Sequence, residues 1–165
     1  MSDRPKEIER SLTIQLLRTR EAVMAHFRPL LQSLDVTEQQ WRVLRCLYPD
    51  IVSDAARLAH DAAILPPSLT RILKLLETNG LVTIQRPQDD RRKVEIRLSP
   101  KGVEFIGNAL PESRRIYSAV RQAVGEVRMD YLYDLLSETA RLCEELSSAL
   151  PDSAEGEATS EPRAD

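Results

Sequence analysis

Arg86-Pro-Gln-Asp-Asp-Arg-Arg-Lys93, read with the runs on either side of it, decides the fold. Leu81-Val-Thr-Ile84 stands before it and Val94-Glu-Ile-Arg-Leu98 after it. In the second run Val94, Ile96 and Leu98 point one way and Glu95 and Arg97 the other, the period of two that marks a half-buried strand. Pro87 and the pair Asp89-Asp90 suit the loop between the strands. A hairpin this short does not fold alone in water, so a helix must support it. Pro66 to Asn79 reads as that support. A helix followed by a hairpin with Arg and Lys at its tip is a winged helix-turn-helix.

Outward from the hairpin the signals are helical. Ser53-Asp54 can cap a short helix from Ala55 to about Ala62, and Ile64-Leu65-Pro66-Pro67-Ser68 is a turn with Pro placed to open the next one. In that next helix Leu69, Ile72, Leu73 and Leu76 share a face, and Asn79-Gly80 ends it with Gly in the left-handed cap. Thr37-Glu-Gln-Gln40 is a capping box ahead of Trp41, Val43, Leu44 and Leu47, and Pro49-Asp50 stops that helix. Residues 8–34 repeat Leu12, Leu16, Val23, Phe27, Leu30 and Leu31 at helical spacing, with a kink or restart expected at Pro29. Beyond the hairpin, Ser99-Pro100 caps a helix to about Ala123. Another starts near Arg128 and ends by Leu150, and residues 151–165 read as a disordered acidic tail.

Charge agrees once it is divided along the chain. The 165 residues carry a net −3, an unpromising value for a nucleic-acid binder. Residues 151–165, however, hold five acids and one Arg, and the rest of the chain is net +1. Between residues 66 and 101 there are eight basic residues against four acids, so the positive charge sits around the hairpin. With 42% hydrophobic and 4% aromatic residues and no apolar run long enough to span a bilayer, no membrane association is expected. The opening residues lack a secretory h-region, so a cytoplasmic protein is expected.

The chemistry expected of this arrangement is DNA binding. Helices 54–62 and 67–79 form the helix-turn-helix, with 67–79 as the recognition helix. Ser68, Thr70, Arg71 and Lys74 on its outer side can reach base edges or phosphates in the major groove of double-stranded DNA. In and beside the wing, Arg86, Arg91, Arg92 and Lys93 are candidates for phosphate or minor-groove contact, although Asp89 or Asp90 can pair with Arg91 instead. No phosphate loop, nucleophile elbow or paired-His motif appears, so no catalytic residue, metal or cofactor is expected. Cys46 and Cys143 match no metal or redox spacing. His26 and His60 have no second ligand at usable spacing.

These residues also carry a resemblance. Leu69-Thr-Arg-Ile-Leu-Lys-Leu-Leu-Glu-Thr-Asn-Gly-Leu-Val82, Asp89-Asp-Arg-Arg-Lys93 and Ile96-Arg-Leu-Ser-Pro-Lys-Gly102 resemble the MarR family of bacterial transcription regulators, over about residues 11–148. Ser11-Leu-Thr-Ile14, Arg20-Glu21-Ala22, Phe27-Arg28-Pro29 and Thr37-Glu-Gln-Gln-Trp-Arg42 resemble the subgroup that represses homoprotocatechuate (4-hydroxyphenylacetate) degradation operons. The resemblance implies a homodimer on a pseudo-palindromic operator, released by a small aromatic acid such as 4-hydroxyphenylacetate or 3,4-dihydroxyphenylacetate. Helices 8–34 and 128–150 agree independently, since they carry more apolar surface than one winged helix can cover.

The fold expected is mainly α with a small β-hairpin wing. Residues 8–34 and 99–150 form a helical dimerisation region around a DNA-binding lobe at 35–98. For the acid effector, Arg20, Phe27, Arg28, Trp41, Arg42 and Arg45 are the candidates: a carboxylate wants a guanidinium fork and a ring wants an aromatic wall. Against this stand two other readings. One is a ligand-insensitive architectural DNA-binding protein whose arginines are structural, and the other is a redox-sensing regulator using Cys46.

Overall fold

The computed structural model describes residues 11–86 and 94–149. The expectations for Arg91, Arg92, Lys93 and the tail at 151–165 fall outside the described residues. In chain order the elements are α1 (Leu12–Ser33), α2 (Glu38–Leu47), α3 (Ala55–Asp61), α4 (Pro66–Thr78), β1 (Val82–Gln85), β2 (Glu95–Leu98), α5 (Pro100–Val124) and α6 (Glu126–Ala149). This is the mainly helical winged arrangement that the sequence implies.

Local chemistry sets most of the boundaries. At the start of α2, Gln40 N donates to Thr37 Oγ1 at 3.2 Å and Thr37 N donates to Gln40 Oε1 at 2.8 Å, which completes the capping box. Asp54 accepts from Arg57 N at 2.9 Å to open α3. Helix α4 closes as a Schellman motif. Gly80 stands at a φ of 70°, its N–H donates to Glu77 O, and Leu81 N–H donates to Leu76 O, both at 2.9 Å.

Three expectations need correcting. Of the kink or restart expected at Pro29, the restart does not occur: helix α1 runs through the proline to Ser33. The proline lacks an N–H for the helix ladder, but buried Phe27 and Leu31 on either side of it hold that last stretch on the core. The strands begin one residue later than the apolar runs suggest. Leu81 belongs to the cap of α4 and Val94 lies outside the pairing, although both side chains pack inward. Helix α6 begins at Glu126 rather than near Arg128, directly after Gly125, whose φ of 95° marks the break.

The hairpin is antiparallel, with Val82 opposite Leu98, Thr83 opposite Arg97, Ile84 opposite Ile96 and Gln85 opposite Glu95. Its outer edge is tied down by Ser53. That residue exchanges two backbone hydrogen bonds with Ile96, at 3.0 and 2.8 Å, and so supplies the support that a bare two-stranded sheet lacks.

The described residues divide into two compact units, one ending at Val120 and the other beginning at Arg121. The hydrophobic core lies in the first. Val43, Leu44 and Leu47 of α2, Leu58 of α3, Leu69, Leu73 and Leu76 of α4, Ile96 of β2 and Ile106 of α5 are all buried in one cluster. In the second, Arg121 ties the start of α6 through ion pairs to Glu126 and Asp130. Most of α6 is exposed, and Met129 is its buried residue among those described.

Candidate nucleic-acid interface

Helix α4 buries one face and leaves the other unoccupied. Leu69, Ile72, Leu73 and Leu76 go into the core, while Thr70, Arg71 and Lys74 are exposed and Ser68 is half-buried. Arg71 and Lys74 have no hydrogen-bond or ion-pair partner among the described residues. Two long cations on a helix, held by no described residue of their own chain, are available to phosphates and base edges. Thr70 is partly engaged, since its hydroxyl donates to Pro66 O at 3.1 Å. Its remaining capacity is as an acceptor. Arg86 is exposed just past the end of β1 and likewise has no partner among the described residues.

The far end of α4 is clamped to α5 by the residues Ser99-Pro-Lys-Gly102. Ser99 Oγ donates to Gly80 O at 2.6 Å and accepts from Gly102 N at 2.9 Å. Lys101 Nζ donates to Asn79 O at 2.8 Å, and Ser99 N donates to Leu81 O at 3.0 Å. Gly102 lies so close to this joint that a Cβ there would stand 2.0 Å from the Leu81 carbonyl oxygen. Lys101, which counts toward the basic window in the sequence, is therefore spent on the helix cap. The wing base has its own pair, Arg97 to Glu95 at 2.8 Å, so Arg97 is not a free cation either.

The six effector candidates stand in different settings: Arg20 and Arg28 in a charged cluster, Phe27 and Trp41 in the core, Arg42 on the turn before α4 and Arg45 on the surface of α2. Arg20 and Arg28 meet through Glu21 and Glu38. Arg20 pairs with Glu21 at 2.8 Å and also with Glu38, and Arg28 pairs with Glu21 and reaches Glu38 at 3.5 Å. Hydrogen bonding from Arg28, reinforced by its charge, holds the Glu21 carboxyl below the usual carboxylate range. Glu21 thus keeps its charge to lower pH than an isolated carboxylate would. It contains two cations and two anions, so an incoming carboxylate must displace a glutamate to gain a fork.

Phe27 and Trp41 are core residues, 2% and 5% exposed. Phe27 packs against Tyr117 of α5 with ring centroids 4.6 Å apart. Tyr117 was invisible to local sequence reasoning because only the fold brings it to Phe27 across ninety positions. Arg42 donates to the Ala63 carbonyl at 3.1 Å, and its Nε is buried without a partner among the described residues. Its task in this structure is to hold the turn between α3 and α4. Arg45 is exposed in the last turn of α2, where a cation complements the helix dipole.

Burial, and then the nearby charge of Asp61, push the Cys46 thiol up. A thiol that resists ionisation is a poor redox nucleophile. No cluster of potential metal ligands occurs among the described residues. No helix among them is long and apolar enough to cross a membrane.

Comparison with known proteins gives the same picture from outside. The sequence profile of the MarR family matches residues 36–94, which run from just before α2 to the residue before β2. The HTH-type transcriptional regulator FarR of Neisseria gonorrhoeae is 39% identical over 138 residues, covering 84% of this chain and 94% of that protein. The homoprotocatechuate degradative operon repressor of Escherichia coli is 40% identical over 128 residues, covering 78% of this chain and 86% of that one. Among solved structures, that of NadR in complex with 4-hydroxyphenylacetate superposes with a TM-score of 0.71 at 38% identity, covering 85% of this chain and 96% of the other.

Proposed function

The chain belongs to the MarR family of transcriptional regulators, and on that premise we propose that it is a homodimeric repressor of an aromatic-compound catabolic operon. A small aromatic carboxylate would release it from a pseudo-palindromic operator. The observation that carries DNA reading is the exposure of Arg71 and Lys74 on the open face of α4, with no partner among the described residues. The effector class rests on the similarity to the homoprotocatechuate repressor and to NadR with 4-hydroxyphenylacetate. Arg20, Phe27, Arg28, Trp41, Arg42 and Arg45 remain the proposed effector residues. Within that set the charged pair around Glu21 and Glu38 is the part a carboxylate would have to reorganise.

Release requires no large rearrangement. The ligand need only bind better to dimer geometries in which the two recognition helices no longer match successive major grooves, by a few kcal/mol. The clamp from Ser99 and Lys101 onto the end of α4 gives motion of α5 a direct mechanical route to the reading helix.

One observation favours a second reading, a DNA-binding protein indifferent to small acids. Arg20 and Arg28 are already paired with Glu21 and Glu38, as structural arginines would be. A thermal-shift series with 4-hydroxyphenylacetate, 3,4-dihydroxyphenylacetate and simple benzoates separates the two, followed by a gel shift on duplexes selected from a random library. Stabilisation together with release from DNA is the expected result. DNA binding that no aromatic acid alters would establish the second reading instead.

A further inference from the structure

The turn leading into α4 has a chemistry that the polar reading face does not explain. Leu65 is 75% exposed, more than any other large apolar side chain among the described residues of the first unit. Backbone geometry holds it there. Ala63 adopts a φ of 49°, a left-handed conformation that a residue with a Cβ seldom takes. Ile64 is buried and Leu65 is turned outward.

Three hydrogen bonds fix this turn. Ala63 N donates to His60 O and Ile64 N to Ala59 O, both at 2.9 Å, and the Arg42 guanidinium donates to Ala63 O at 3.1 Å. The next two residues are Pro66 and Pro67 at the first two helical positions. Two of the N–H groups that a helix start ordinarily offers to a phosphate are therefore missing. What α4 presents first is apolar: Leu65 and Pro66, beside a shallow groove lined by Ala56, Ala59, His60, Ala63 and Ile64.

This patch adjoins the cationic face, since Leu65 is followed within one turn by Ser68 and then by Thr70 and Arg71. The N-terminal residues of a recognition helix are the ones that meet base edges. In the major groove the apolar feature of a base edge is the C5 methyl of thymine. We infer that Leu65 is a specificity residue that reads a thymine methyl, and that Arg42 is the positioning residue that holds it outward. This rests on the DNA-binding reading above.

The test uses the full chain and the tightest duplex selected from a random library. Each thymine in turn is replaced by deoxyuridine, which lacks only the methyl, and binding is followed by fluorescence anisotropy. At one thymine in each half-site the wild type should bind about fourfold more weakly, the effect of leaving one apolar carbon in water. Leu65→Ala should bind thymine and uracil alike at that position, and Leu65→Met, which keeps apolar reach, should retain the preference. Indifference of the wild type to deoxyuridine at every position overturns the inference, and so does a preference that persists in Leu65→Ala. The wild-type scan needs no variant, so a poorly folded substitution leaves that arm intact. If selection enriches no duplex, the DNA-binding reading itself fails, a result reached before any uracil comparison.

Discussion

Arg71 and Lys74 matter because no described residue of the chain uses them. A guanidinium left unpaired on a recognition helix either forks onto a guanine edge or meets a phosphate, and the two differ in consequence. Arg71→Ala should weaken binding to a selected duplex by about 1–3 kcal/mol while leaving scrambled DNA nearly unaffected. Competition anisotropy measures both, and equal losses would make Arg71 a phosphate contact. Glycine gives the second prediction at this scale. Gly102 has the Leu81 carbonyl where its Cβ would stand, at 2.0 Å, whereas Gly107 in the same helix has nothing within 4 Å. Gly102→Ala should cost about 1–3 kcal/mol or more, because backbone rather than a flexible side chain must move. Gly107→Ala should raise stability by about 0.5–1 kcal/mol through helix propensity. Thermal melts of the two variants should therefore shift in opposite directions.

Among the elements, α4 is the one the rest of the fold is arranged to hold. Its buried leucines fix its rotation, Arg42 holds the turn before it, and Ser99 and Lys101 hold its cap. The base of the wing is anchored by Ser53 on its outer edge. The tip carries Arg91, Arg92 and Lys93, proposed as phosphate or minor-groove contacts. Arg92→Ala combined with Lys93→Ala should reduce the slope of log affinity against log salt by about 1.8, since each lost phosphate contact withholds about 0.9. An unaltered slope in a salt titration would take both residues out of the DNA footprint.

For the whole molecule the informative feature is apolar surface that no described residue covers. Leu12, Leu16 and Leu17 on α1 are exposed, and on α6 so are Val127, Tyr131, Leu135, Leu142 and Leu146, with Val127 at 82%. A second copy of the chain is the proposed cover. Leu142→Lys with Leu146→Lys should shift sedimentation toward the single-chain mass and weaken operator binding, because one half-site alone loses the partner's contacts. An unshifted dimer would place the interface elsewhere.

Sequence alone determined the winged helix-turn-helix, since each of its signals is local. Period-two alternation at Val94–Leu98, the Thr37–Gln40 capping box and Gly80 after the leucines of α4 all depend on neighbours a few residues away. The charge excess around the wing was equally legible. Tertiary structure decided which polar groups are spent and which are free. Lys101 counts as a free cation in sequence and Arg42 as an effector candidate, but they are taken by the Asn79 and Ala63 carbonyls, while no described residue takes Arg71 or Lys74. Arg20 and Arg28 are neutralised by Glu21 and Glu38, and Phe27 meets Tyr117 from a distant helix. A side chain's availability depends on which acceptors lie within about 3 Å in space, and the packing of helices far apart in sequence sets that distance.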